Sequence, residues 1–176
     1  MTTPDDGADR TEPPHSGDER AILNGFLDFH RETLQWKCTG LSPSQLATAA
    51  SPPSPLTLLG MVRHITENER WWFQGFVDES IRSLYCTDDR DGDWHVPGSD
   101  EVGQALVDQA WADWTEAVAE SRRVVAATDL DAIGFTDKPE RSFSMRWVLT
   151  HMIEEYCRHN GHADLLREAL DGSTGE

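Results

Sequence analysis

The sequence predicts an all-α protein, an antiparallel four-helix bundle with one short extra helix and long loops. Three observations predict it. Four long windows carry apolar residues at helical spacing, stretches rich in Pro or in Asp and Gly separate them, and no segment alternates apolar and polar residues long enough to make a strand. No internal repeat occurs at a fixed period. At 176 residues the chain suits one domain with its own core.

The elements follow in order. Residues 1–18 mix Pro, Gly, Asp and Glu without periodicity, which predicts a disordered acidic tail ahead of a bundle domain at 19–172 and a flexible end at 173–176. Ile22, Phe26, Phe29, Thr33 and Trp36 mark a first helix that stops near Gly40. Ser42-Pro43-Ser44-Gln45 is a capping box with proline at the first helical position, so a short helix follows. "SPPSP" breaks it. A second long helix is expected over 55–76 and a third over 100–128, the latter with Val102, Ala105, Leu106, Ala110, Trp114, Val118 and Val125 on one side. The connection between them, residues 77–99, is longer than a bundle turn requires. After a loop at 129–143, Ser144 caps the last helix, which runs to about Leu170.

Charge narrows the partners. With 32 acidic against 15 basic residues, the net charge of −17 repels phosphate backbones and anionic lipid, so neither nucleic acid nor membrane is expected. No apolar run reaches the roughly 20 residues of a membrane span. The first twenty residues lack the basic and apolar regions of a signal peptide, and a cytoplasmic home is expected. Cys38, Cys86 and Cys157 show no C-x-x-C spacing, which speaks against disulfides or a cysteine zinc site, and Cys157 is expected to be a packing residue.

The chemistry gathers on the last helix, in "EEYCRHNGH". At 100° per residue His151, Glu155, His159 and His162 fall within an arc of about 80°. Trp147, Leu165 and Ala169 flank it on one side and Val148, Met152, Leu166 and Leu170 on the other, while Glu154, Asn160, Asp164 and Glu168 face the opposite way. The carboxylate and imidazoles therefore point inward, where an unpartnered charge is costly. Glu155 and His159, four residues apart, present an oxygen and a nitrogen on adjacent turns. On the second helix His64 shares a face with Gly60, Met61, Asn68 and Trp71. Gly60, Asn68 and Trp71 are assigned to a pocket there, Gly60 leaving room for something bulky. His64, Glu155 and His159 then form a two-histidine, one-carboxylate set suited to zinc, nickel or ferrous iron. Spacing alone leans instead towards a core His64 bonded to Glu155 and no metal. His151 and His162 are outer partners or alternative ligands.

Other features take lesser roles. Trp111 and Trp114 are core residues or cavity lining, Trp72 shapes access, His30 is a surface histidine within reach of the pocket, and Arg158 is a candidate anion contact. Trp94, His95 and Phe135 make the two long loops candidates for specificity. H-E-x-x-H, paired Glu-x-x-His motifs, a P-loop and G-x-G-x-x-G are all absent.

In "LDFHRETLQWK", "LGMVRHITENERWWF" and "HMIEEYCRHNGHADLLRE" the chain resembles the DinB-like (DinB/YfiT) superfamily of metal-binding four-helix bundles over about residues 20–170. It is most similar to the actinobacterial branch, where "RHNGH" replaces the more widespread "HHRGQ". The resemblance puts the family's first ligand on His64 and its last on His159. Many relatives carry histidine where this chain has Glu155, whereas mycothiol-dependent maleylpyruvate isomerases look similar here, with a His–Glu–His triad. It implies a divalent metal, zinc first, and a low-molecular-weight thiol of the mycothiol type used by an S-transferase or isomerase on a small molecule. Metal-dependent hydrolysis and non-catalytic metal or ligand binding are the alternatives. It also implies a homodimer, and it leaves the catalytic residues unknown.

Overall fold

The computed structural model describes residues 10–134 and 142–174. Its helices are α1 (Glu19–Cys38), α2 (Pro43–Leu46), α3 (Leu58–Glu69), a π-helical turn (Arg70–Gln74), α4 (Gly75–Val77), α5 (Gln104–Ala127) and α6 (Met145–Asp171). An all-α bundle with a short extra helix is what the chain forms. Among the described residues the sole β feature is a bridge between Ile133 and Ser144. No helix among them is long and apolar enough to cross a membrane.

Local chemistry sets the helix ends. Asp18, Thr57 and Ser144 each accept a hydrogen bond from the backbone N–H three residues on, at the starts of α1, α3 and α6. Ser42 and Gln45 close the expected capping box at α2. Gly172, at φ +80°, ends α6 in the left-handed conformation that glycine adopts without a Cβ penalty.

The helix directions differ from simple alternation. Glu19 pairs with Arg146, Asn160 donates to the His30 carbonyl, and Arg167 donates to the Lys37 carbonyl, so α1 and α6 run parallel. Arg20 reaches the Val125 and Thr128 carbonyls and Asp28 pairs with Arg122, so α5 is antiparallel to α1. Contacts of His64 with His159, of Glu69 with Tyr156 and of Trp72 with Trp147 make α3 antiparallel to α6. The long helices therefore run up, down, down, up. Two parallel helices in succession need a long return path, and residues 78–103 supply it, as in bundles with one crossover.

That return path lies along α3. Glu67 accepts from Ser83, Leu84 and Tyr85. Arg63 donates to the Gly92 and His95 carbonyls and stacks on the Tyr85 ring. Gly60 admits the crossover backbone, since a Cβ there would sit 3.1 Å from the Trp94 carbonyl oxygen. The room left by Gly60 is thus filled by chain.

The centre of the core is polar as well as apolar. Glu69 has no exposed surface. Arg31 grips it with two hydrogen bonds of 2.8 Å, and the Tyr156 hydroxyl donates a third, also 2.8 Å. Trp114 donates to the Tyr156 oxygen at 3.0 Å. Four helices meet in this knot, with Leu27, Leu34, Ile65, Phe73, Met152 and Ala163 among the apolar side chains of the same core.

On α1 the buried stripe is Leu27, Arg31, Leu34 and Cys38, not the one through Phe26, which is 44% exposed. Residues 10–17, assigned to the tail by composition, lie along that other stripe. Arg10 stacks on Phe29 and Trp36 and donates to Thr33, and Pro14 packs against Gly25.

Removing one member of a buried ion pair strands the other. Glu69→Gln should therefore destabilise the fold by about 3–5 kcal/mol, lowering the melting temperature by about 6–20 °C. A thermal melt beside Arg31→Met with Glu69→Leu, which removes both charges and should lose less, checks this.

Candidate metal centre

The centre lies on the flank of the bundle, between α3, α6 and the crossover. The buried side of α6 is centred on Met152, Tyr156 and Ala163, and His151, Glu155, His159 and His162 occupy its edge. His159 is buried and the other three are half-buried. The expected inward arc is therefore a rim. Asn160, expected to face solvent, is buried and bonded to the His30 carbonyl at 3.0 Å.

His64, Glu155 and His159 come together, each offering a ligand atom within 4.8 Å of the others. His159 Nε2 lies 3.4 Å from Glu155 Oε2. The His64 and His159 rings meet edge-on with centroids 4.8 Å apart. Tetrahedral donors that each sit about 2.0–2.2 Å from one ion lie about 3.3–3.6 Å apart, so the widest pair of the set would close by at most about 1.5 Å around an ion.

Glu155 itself supplies the test of fit. Its two imidazole contacts, 3.4 Å to His159 and 3.8 Å to His151, are both longer than a hydrogen bond. Glu69, in the core, accepts three bonds of 2.8 Å. A carboxylate held by a protein network looks like Glu69; Glu155 has the spacing of a ligand.

His64 is fixed by the crossover. Asp93 Oδ2 lies 2.7 Å from its Nδ1, Trp94 stacks on its ring at 4.2 Å, and Asn68 Nδ2 lies 2.9 Å from its Nε2. Burial opposes ionisation of Asp93, but the bonds from His64, Cys86 and the Trp94 amide hold its pKa below the usual value. Asp93 escaped the sequence reading. A buried acid beside Trp94 in "DGDWH" was the one available signal, and only the path of the crossover gives it meaning.

His159 is pushed down to about 3, chiefly by burial, with smaller contributions from His64, His162 and Arg158 around it. It is neutral at ordinary pH, with a lone pair for a cation. The Nδ1 atoms of both His159 and His162 are buried without a hydrogen-bond partner. His151 can group with Glu154 and Glu155, but its two nitrogens face different carboxylates, Nδ1 to Glu154 at 3.3 Å and Nε2 to Glu155 at 3.8 Å. That is the arrangement of a bridging imidazole. Its ring stacks on Trp147, and with Trp72 and Phe143 it forms an aromatic wall beside Glu155.

The remaining assignments sort as follows. Trp71 is 66% exposed, because the crossover covers the Gly60–His64 face and stops short of it. Trp114 belongs to the core knot, with Trp111 edge-on to it. Arg158 is exposed and pairs with Glu154. His95 pairs with Asp89 on the surface, away from His64. His30 is half-buried, and burial lowers its pKa. Cys38 is buried and its thiol pushed up to about 12, while Cys157 is exposed and packs in nothing. Phe135 lies outside the described residues.

A bundle with a crossover over its second helix, and two imidazoles and a carboxylate gathered on its flank, defines the class as a helical bundle of the DinB-like type. The particular family follows from comparison: the family model described as mycothiol S-transferase matches residues 22–172, and the chain belongs to that family. No curated protein matches the chain.

One pH effect follows from His159. Between its unfolded value of 6.5 and its folded value of about 3, the unfolded chain takes up a proton there and the folded chain does not. Metal-stripped protein should therefore lose stability as pH falls from 6.5 towards 3, with no contribution above 6.5. Urea unfolding at pH 7 and pH 5 should show a smaller difference in His159→Gln than in the unaltered chain.

Proposed function

We propose that this protein is a divalent-metal-dependent S-transferase that joins a low-molecular-weight thiol of the mycothiol type to a small apolar electrophile, with His64, Glu155 and His159 as the metal ligands. The observation that carries the reading is Glu155, a half-buried carboxylate whose close polar partners among the described residues are imidazoles beyond hydrogen-bond length. The family supports the thiol and the transfer. A divalent ion held there, zinc being the first expectation, would lower the pKa of a thiol and keep it as the thiolate.

The chain's own groups would do the rest. Neutral His159 offers its lone pair to the ion and His64 offers Nε2, and Asp93 keeps the His64 ring turned towards α6. His151 Nε2, on the outer side of Glu155, is the nearest further imidazole able to take the proton that the thiol gives up. The sulfur then forms its bond to the electrophilic carbon, whose leaving group departs with the bonding pair. Trp72, Phe143 and Trp147 offer the apolar surface on which such a substrate can rest.

Protein purified without chelator should contain about one divalent ion per chain by elemental analysis, in the ~1:1 ratio of a mononuclear site. His64→Ala, Glu155→Ala and His159→Ala should each lower metal affinity by more than the about 10–100-fold that loss of an outer partner costs. The same variants should lose conjugation of mycothiol to an alkyl halide or epoxide. Metal-free protein that binds no ion on loading would reduce the site to a polar cluster and end the proposal.

A further inference from the structure

One imidazole in this protein is held at both nitrogens by groups with opposite demands. Asp93 Oδ2 stands 2.7 Å from His64 Nδ1. An ionised carboxylate only accepts, so the hydrogen of that contact is on Nδ1, which makes Nε2 the nitrogen that can carry a lone pair. Asn68 Nδ2 stands 2.9 Å from that Nε2 and 3.2 Å from the His64 carbonyl oxygen. Both neighbours are acceptors, so the Asn68 amide must present its nitrogen there; its oxygen would face two lone pairs. The result is a closed chain in which Asp93 accepts from Nδ1 and Asn68 donates to Nε2.

Nε2 is also the only nitrogen of His64 left for a metal, because Asp93 occupies the other. A cation and the Asn68 N–H cannot share one lone pair. Asn68 sits one helical turn beyond His64, so a side-chain rotation alone breaks the contact without moving α3.

We propose that Asn68 is a displaceable latch on the metal-ligating lone pair of His64: it keeps the ring in place while the site is metal-free and swings aside as the ion enters. Asp93 acts in the opposite sense from the other end of the ring, holding the tautomer that the ion requires. The proposal rests on His64 being a ligand. It goes further, because it makes Asn68 a competitor of the metal and not a lining residue.

The signature is opposite signs from two neighbours of the same ring. Chelator-stripped full-length protein is titrated with Zn2+ against a chromogenic competing chelator, alongside Asn68→Ala, Asn68→Leu and Asp93→Ala. Release from one ordinary hydrogen bond should tighten binding by about 2- to 12-fold in both Asn68 variants. Loss of the carboxylate behind the ring should weaken it by about 10- to 100-fold. Asn68→Leu is larger than Asn and Asn68→Ala smaller, and neither can donate, so a change shared by both reports the lost donor and not a change of volume. Two-dimensional 15N–1H NMR of the metal-free protein should show His64 as the Nδ1–H tautomer, and Asp93→Ala should lose that preference. Weaker or unchanged Zn2+ affinity in both Asn68 variants overturns the latch while leaving the metal site intact. No Zn2+ binding by the unaltered protein overturns the site and the latch together.

Discussion

Glu69 is the constraint on which the rest of the structure depends. A carboxylate with no exposed surface is tolerable only if its charge and its lone pairs are both met. Arg31 meets the charge and Tyr156 adds a further donor. These partners come from different helices, so satisfying one side chain fixes how α1, α3 and α6 slide past each other, and Trp114 extends the restraint to α5. Apolar packing alone tolerates small slips along a helix axis; a fork of two guanidinium bonds does not. The candidate centre inherits this register. His64 lies five residues before Glu69 on α3, and His159 three residues after Tyr156 on the antiparallel α6. Both are thus displaced in the same direction, by about 7 and 5 Å. A one-turn slip of α6 would separate them.

The second constraint is the path of the chain. Because α3 and α5 run parallel, residues 78–103 must return the length of α3, and they do so over its outward face. Gly60, Arg63, His64 and Glu67 would otherwise look into water. Each is instead engaged by the crossover: Gly60 through close backbone approach, Arg63 and Glu67 as clips, His64 through Asp93 and Trp94. A loop held this way brings an acid, Asp93, to Nδ1 of His64, where no neighbouring helix supplies one.

This division explains what the sequence could disclose. Glu155 and His159 are legible because helical periodicity alone puts them on one arc, and His64 because it sits on a second helix with small and polar neighbours at turn spacing. The same periodicity misled on α1. Its apolar residues form two stripes, and the buried one contains Arg31, whose charge hides it until Glu69 is seen in the stripe of Val62 and Ile65 on α3 and Phe73 in the π-helical turn. Opposite charges embedded in two apolar stripes were the available clue. Trp71 shares the face of His64 on a helical projection, but a projection does not say where a covering loop ends. Asp93 was beyond reach for the same reason: its meaning depends on a crossover whose course is set by α3 and α5 running parallel.

The position of the centre on a rim reflects a compromise between two costs. Deeper in the bundle, the three candidate side chains would be cut off from any small molecule. On the open surface, water would solvate Glu155 and its attraction for a cation would be screened. On the flank, His159 is buried enough to stay neutral, while Glu155 keeps a partly dry environment with contacts too long to satisfy it. The unspent interaction of that carboxylate is what an incoming cation would gain. Glu69 lies in the core and Glu155 on its rim; both are approached by cationic or polar side chains, yet only Glu69 is met by hydrogen bonds from the described residues. The difference between 2.8 Å and 3.4–3.8 Å separates a carboxylate that builds the fold from one available to a ligand.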